Sequence, residues 1–415
     1  MRKKATVIAT VLNEADSISG LLESLRRQTR RPDAVIIVDG GSTDGTVDVL
    51  REWESAGKLP LRVIEAPGAN ISRGRNIAIH AAETELIAGA DAGTRLELDW
   101  LQNLMAPFEQ DPPPDVVAGF FVADPQTIFE TALGATTLPV IDDVNPDRFL
   151  PSSRSIAFRK SVWQNLGGYP EWLDFCEDLL FDLWLREDGY RITFAPNATA
   201  HFRPRRSLRQ FFWQYFHYAR GDGKADLWPM RHAIRYATYL VAVPALLHVA
   251  VRGLPVEGLQ IADCRLQIAD CGLRIVATQP ARVSAVEGSP FGDRSPAGAG
   301  FVLRLSPKGR LRKGDVLSLV LSLSKGLSKG CRDFNRQAER GRGRGLAWGV
   351  LIVGAGLMFR PPVLRLWRLT RGGSWGRRLR AVAWVPIIRV TGDVAKMLGY
   401  PVGRWWRRQH RAELR

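Results

Sequence analysis

Two adjacent carboxylates, Glu177 and Asp178, open a segment of helical spacing, Leu179 to Asp188. A carboxylate at a helix N-terminus stays ionised, because the helix dipole and the free N–H groups favour the anion. In that state it can receive the proton that a hydroxyl group loses on attacking an electrophile. Other polar groups fall where apolar runs stop: Asn13-Glu14, Asp39-Gly40 and Asp91. Carboxylates at such positions can accept hydrogen bonds from a base or a ribose. Arg73, Arg75 and Asn76 lie near the start of a further helical pattern, where free N–H groups favour a phosphate. Acidic residues often decorate a first helical turn, and basic ones a solvated turn. The set is more telling than any member.

The elements that must hold these groups are legible. Ala5 to Val11 and Ala34 to Val38 are continuous apolar runs, and Ile18, Leu21, Leu22 and Leu25 fall on one face of the segment between them. This is a βαβ unit with buried parallel strands. Ligands of open α/β sheets bind just outside the carboxyl ends of such strands. Gly40 and Gly41 allow close backbone approach, and Ser42 or Thr43 can cap the helix that follows. Strands are expected at Leu61–Glu65, Glu85–Ala90, Val116–Val122, Arg154–Phe158 and Arg191–Ala195. Helices are expected near Val47–Ser55, Leu98–Phe108 and Lys160–Leu166, with Pro139–Pro151 a loop.

Charge divides the chain of 415 residues. Residues 1–228 carry 25 lysines and arginines against 32 acids, whereas residues 229–415 carry 33 against 10. An acidic globular half joined to a basic, Trp-rich half implies two environments. The apolar runs of the basic half favour an anionic membrane surface over nucleic acid as its partner. Cys176, Cys264, Cys271 and Cys331 form no CxxC pair, so neither a zinc site nor a disulfide framework is expected. Met1-Arg2-Lys3-Lys4 runs directly into a strand pattern, so no signal peptide is expected and the acidic half should face the cytoplasm.

In order along the chain, the Asn13-Glu14 strand end, Asp39, Asp91-Ala92-Gly93, Gly167-Gly168-Tyr169, Glu177-Asp178 and Gly189-Tyr190-Arg191 resemble the inverting, family 2 glycosyltransferases. The resemblance covers roughly residues 4–220. It implies the α/β fold called GT-A, the Rossmann-like nucleotide-diphospho-sugar transferase fold: a mixed sheet flanked by helices, here followed by membrane-associated helices. It implies a nucleotide-diphosphate sugar donor held by Thr10, Asn13, Glu14, Asp39, Gly40, Arg73, Arg75, Asn76 and Asp91, with Asp39 on the base. Asp91 would open the acidic motif that holds a divalent metal, Mn²⁺ or Mg²⁺, and His201 would be a second ligand. Gly93 stands where the family usually has its second Asp. Asp178 matches the catalytic base, with Glu177 beside it. The Gln-x-x-Arg-Trp signature of processive members is missing around Gln210 and Gln214, which implies a single-transfer enzyme acting on a glycan or lipid-linked acceptor.

The expected organisation is a catalytic domain at 1–228, a membrane-associated helix at 229–257, a repetitive insertion at 258–330, and basic membrane-associated helices at 331–415. The apolar runs Ala233–Val251 and Gly345–Phe359 are marginal in length for spans, and arginines flank the second on both sides. Interfacial helices or a shallow hairpin at the inner membrane are therefore expected. The insertion is inferred from Leu-Gln-Ile-Ala-Asp-Cys at Leu259–Cys264, which recurs at Leu266–Cys271. A small β-rich domain is the other reading of that stretch. Two alternatives to a glycosyltransferase are a nucleotidyltransferase and a non-catalytic membrane scaffold. The first would want a Gly-rich phosphate loop with a Lys, which Thr10 to Ser17 lacks.

Overall fold

The computed structural model describes residues 2–252, 339–372 and 374–411. The repeats at 258–330, with Cys264, Cys271 and Cys331, lie outside the described residues. Strand β1 (Ala5–Val11), helix α1 (Ile18–Arg26) and strand β2 (Ala34–Asp39) form the expected βαβ unit, followed by α2 (Thr46–Ser55), β3 (Leu61–Glu65), α3 (Ile71–Ala81) and β4 (Leu86–Gly89). Next come β5 (Thr94–Leu96), α4 (Trp100–Met105), β6 (Val116–Ala123), α5 (Ile128–Thr137), β7 (Ile156–Arg159), α6 (Lys160–Asn165), α7 (Glu177–Glu187) and β8 (Ile192–Phe202). The eight strands lie in the order β3-β2-β1-β4-β7-β6-β8-β5. The first four are parallel, whereas β7 runs antiparallel to β4 and β6.

Alternation along the strands builds two cores. Val7, Ala9, Val35 and Ile37 pack on the side of α1 and α4, while Ile8, Ile36 and Val38 face Ala78 and Ile79 of α3. The buried leucines and isoleucine of α1 are completely covered. Full burial of one such side chain contributes about 1.5–3 kcal/mol, so the layers clamp the sheet and align its strand ends. Val11 stands opposite Asp39, and Ile8 opposite Gly89, so Glu14, Gly40 and Asp91 follow strands that end on one edge.

Helix α5 lies between the expected strand Val116–Val122 and the expected loop Pro139–Pro151, in a stretch where the sequence reading assigns no element. Its Ala132, Leu133 and Ala135 are buried against Val385 and Ile388, so the helix depends on a partner 250 residues away. That partner belongs to α12 (Trp375–Gln409), preceded by α8 (Leu208–Lys224), α9 (Pro229–Tyr236), a π-helical stretch (Ala237–Ala242), α10 (Val243–Arg252) and α11 (Glu339–Leu369).

Two compact units emerge, Met1–Pro244 with Ile352–Arg415, and Ala245–Leu351. The expected boundary at 228 therefore does not set the C-terminal helices apart, because α12 lies along α8 within the first unit. In the second unit, Arg344 donates to the Arg252 carbonyl. The stretches Pro229–Arg252 and Arg344–Leu369 are long and apolar enough to cross a membrane by length and composition.

The α8–α12 contact is a backbone approach. A Cβ at Gly399 would run into the Phe216 carbonyl oxygen, and one at Gly403 into that of Arg220. The spacing of four residues puts both glycines on one helix face. Another face of α12 leaves Ile387, Val390, Val394, Leu398, Val402 and Trp405 exposed. Gly399→Ala should therefore destabilise the first unit by about 1–3 kcal/mol through overpacking. Leu398→Ala, on the exposed face, should change stability by about 0.5 kcal/mol or less. Thermal melting of the two variants against the parent chain checks this difference.

Candidate active site

A cleft of about 800 Å³ opens at the carboxyl edge of β1, β2 and β4. Its floor is Thr10, Gly40 and Gly74, its acidic wall Glu14, Asp91, Glu177 and Asp178, and its far wall comes from α8, α9 and α12. The centre of the acidic wall is a cation. Arg75, on α3 and 5% exposed, donates to Asp91 Oδ1 at 3.1 Å and to Glu177 Oε1. Its guanidinium lies 5.4 Å from the Tyr169 ring centroid, which ties it to the Gly-Gly-Tyr turn. Burial alone would lower the Arg75 pKa, but the charges of Glu177 and Asp91 outweigh it and push the pKa up.

Glu177 is itself 5% exposed. Burial pushes its carboxyl up to about 7 against the pull of Arg75, and the charge of Asp178 adds to the rise. Asp178 is different. It lines the cleft, makes no ion pair among the described residues, and accepts only the Leu179 N–H at 2.8 Å. The residue before the pair, Cys176, has φ +66°, a left-handed conformation that turns the start of α7 toward the cleft. Burial pushes its thiol up, with the charges of Asp222 and Asp178 contributing. Its Sγ meets the Tyr218 carbonyl at 3.2 Å.

The expected site residues divide. Thr10, Glu14, Gly40, Arg75, Asp91, Glu177 and Asp178 share the cleft. Asp39 does not line it. At 1% exposure, its Oδ1 accepts the N–H groups of Gly41 and Ser42 at 2.8 Å each, and Oδ2 accepts the Ser42 hydroxyl. Asn13 is likewise spent on the turn, accepting from Thr43 N at 2.9 Å. Asn76 holds the Tyr169 backbone and accepts from Trp163 Nε1 at 3.0 Å. Arg73 is exposed and does not line the cleft, and the start of α3 is already capped by the Asn70 side chain.

His201 also departs from its expected place. It pairs with Arg95 across the β8–β5 edge, and its Nε2 meets the Glu97 carboxylate rather than lining the cleft with Asp91. Among the described residues no group of three His, Cys, Asp or Glu side chains is placed to hold a metal. Asp91 nevertheless fits a cation that arrives with phosphates. Its Oδ2 is 3.6 Å from Arg154 Nε, beyond hydrogen-bond distance, and so keeps free lone pairs. A Cβ at Gly93 would lie 3.7 Å from Glu14 Oε2, so Glu14 brings a carboxylate toward the position where the second Asp is missing. Magnesium takes one or two carboxylates and completes its shell with water and phosphate oxygens.

Sequence reasoning missed Arg154, which sits over the Phe202 ring at 4.4 Å and faces Asp91. It also missed the far wall: Tyr218, Asp222, His232, Arg235 and Lys396. There Asp222 accepts from His232 at 3.2 Å, His232 meets Arg235 at 3.1 Å, and Arg235 donates to Asp393 at 2.8 Å. The glycine spacing on α12 was the available signal.

Residues 6–160 match the model of glycosyl transferase family 2. The succinoglycan biosynthesis protein ExoA of Rhizobium meliloti is 28% identical over 231 residues, covering 52% of this chain and 68% of that protein. The O-antigen chain rhamnosyltransferase RfbN of Salmonella typhimurium is 24% identical, over 51% of this chain and 70% of its own. Among solved structures, the mannosyltransferase PcManGT of Pyrobaculum calidifontis aligns at TM-score 0.47 and 23% identity, covering 64% of this chain and 81% of that one. The match places a glycosyl transferase family 2 domain at residues 6–160, within a mixed sheet flanked by helices, and the chain is similar to glycosyltransferases.

The raised carboxyl of Glu177 has a consequence for stability. Between its ordinary pKa of 4.5 and about 7, the folded state holds a proton that the unfolded chain has released. Stability conferred by this group is therefore present below about 4.5 and is lost as pH rises toward 7. Relative to Glu177→Gln, the parent chain should lose stability across that window. Melting temperatures of both proteins from pH 4.5 to 8 check the direction.

Proposed function

We propose that the protein transfers a sugar, with inversion, from a nucleotide-diphosphate sugar to a hydroxyl acceptor at a membrane surface. The observation that carries this is the contrast between two adjacent carboxylates: Glu177 is locked to Arg75, while Asp178 faces the cleft without a cation. Asp178 is then the base that takes the acceptor's proton as the hydroxyl attacks the anomeric carbon. Attack from the side of α7 with departure of the diphosphate on the opposite face inverts that carbon in one step.

The donor occupies the strand-end floor beside Thr10, Gly40 and Gly74. Asp39 shapes the base pocket through the turn it holds, leaving Gly40 to the ligand. Asp91, with Glu14 beside it, would hold a divalent metal, which when bound neutralises the departing diphosphate. Arg75 positions Asp91 and Glu177, so both strand end and helix start are fixed before the donor arrives. The missing Gln-x-x-Arg-Trp signature around Gln210 and Gln214 favours a single transfer, and a glycan or lipid-linked acceptor is in line with the polysaccharide chemistry named for ExoA and RfbN.

The exposed apolar face of α12, with Arg389, Arg404, Arg407 and Arg408 along the same helix, supports seating on an anionic leaflet. The catalytic unit would then work at the cytoplasmic face of the inner membrane. Residues 229–257 and 331–415 would supply that membrane attachment, and 258–330 would be an insertion outside the chemistry.

Asp178→Asn should lower turnover of the nucleotide sugar about 10²–10⁴-fold, while nucleoside-diphosphate affinity stays within about twofold. Steady-state kinetics and calorimetry on the purified full chain measure the two quantities. Unchanged turnover in the variant would remove Asp178 from the base role.

A further inference from the structure

Most cations around the cleft have a partner. Arg75 is matched by Glu177 and Asp91, Arg235 by Asp393, and Arg154 faces Asp91. Three lining residues differ: Arg205, Arg231 and Lys396 make no ion pair or hydrogen bond with a side chain among the described residues. They come from three places, the β8–α8 turn, α9 and α12, and converge on one cavity. Lys396 is the most telling. Its ammonium lies 4.6 Å from the Tyr215 ring centroid, and the nearest acid on its own helix, Asp393, is already taken by Arg235, Arg389 and Tyr239. Burial, with Arg235 adding, pushes the Lys396 amine below its ordinary range. A charge so held is costly until a counter-ion arrives.

Helix α9 carries exposed apolar side chains beside one of these cations: Met230 and Ile234 flank Arg231, whereas the exposed Val394 and Leu398 lie on the face of α12 turned away from Lys396. An anion that uses both features has a phosphate at one end and an apolar tail at the other. We infer that Arg205, Arg231 and Lys396 bind the phosphate or diphosphate headgroup of an amphiphilic acceptor, presenting its hydroxyl or first sugar to Asp178. This rests on the transferase reading above and names its acceptor class. The donor's own diphosphate is the other source of the same chemistry, and the test must separate the two.

Hexyl phosphate, hexanol and inorganic phosphate are titrated into the full chain in neutral detergent, alongside UDP, GDP and dTDP. Hexyl phosphate should bind at least tenfold tighter than either hexanol or inorganic phosphate. Lys396→Met and Arg231→Met should each weaken it fivefold or more, with nucleoside-diphosphate affinity within twofold and Lys396→Arg close to the parent. If the substitutions weaken the nucleoside diphosphates and spare hexyl phosphate, the cations serve the donor and the inference is overturned. Equal binding of hexyl phosphate and hexanol overturns it too. Should Lys396→Met fail to fold, the exposed Arg231 decides the matter alone. Failure of every nucleoside diphosphate to bind the parent chain would instead count against the donor site, leaving the hexyl phosphate comparison intact.

Discussion

The buried Arg75 bridge is the constraint on which the rest of the site depends. One guanidinium joins the end of β4, through Asp91, to the first turn of α7, through Glu177. Two carboxylates brought this close to each other and to Asp178 would repel, and a cation inside the fold offsets that repulsion where water cannot. Removing one partner from such a buried set typically costs about 3–5 kcal/mol, because the others are left uncompensated. The bridge also frees Asp178. With Glu177 occupied, the neighbouring carboxylate needs no structural partner and is available to a ligand.

The second constraint is the close contact of α8 with α12. Gly399 and Gly403 let the helices approach until backbone meets side-chain-free backbone, and this brings Lys396 to the cleft. The wall opposite the donor floor is thus built from the chain's C-terminal end. The helix that carries Lys396 toward the cleft also carries the exposed stripe from Ile387 to Trp405. Membrane seating and acceptor binding would therefore share one rigid element, which fixes the height of the active site above a lipid surface.

The βαβ unit, the strand ends and the Glu177-Asp178 pair were legible in the sequence because each has a local cause, an apolar run that stops or a helix that starts. Asp39, Asn13 and Asn76 show where such reading ends. A polar side chain at a strand end can satisfy a ligand or its own turn, and the same oxygen serves either. Only the folded positions of Ser42, Thr43 and Tyr169 decide. Arg154 stands in no motif, and its role is set by Asp91 arriving from another strand. His201 was assigned by resemblance, whereas the β8–β5 pairing hands it to Glu97. Helix α5 needs α12 to cover Ala132 and Ala135, and sequence reasoning missed its one local signal, the Thr127 cap with Glu130 three residues on.

The central claim is that Asp178 takes its proton on the face of the sugar opposite the departing diphosphate. Water can replace the acceptor, so the anomer first released when an α-linked nucleotide sugar is hydrolysed reports the geometry directly. Proton NMR, recorded before the free sugar equilibrates, should show the β anomer appearing first. Initial release of the α anomer would mean retention, and would contradict a single displacement based on Asp178.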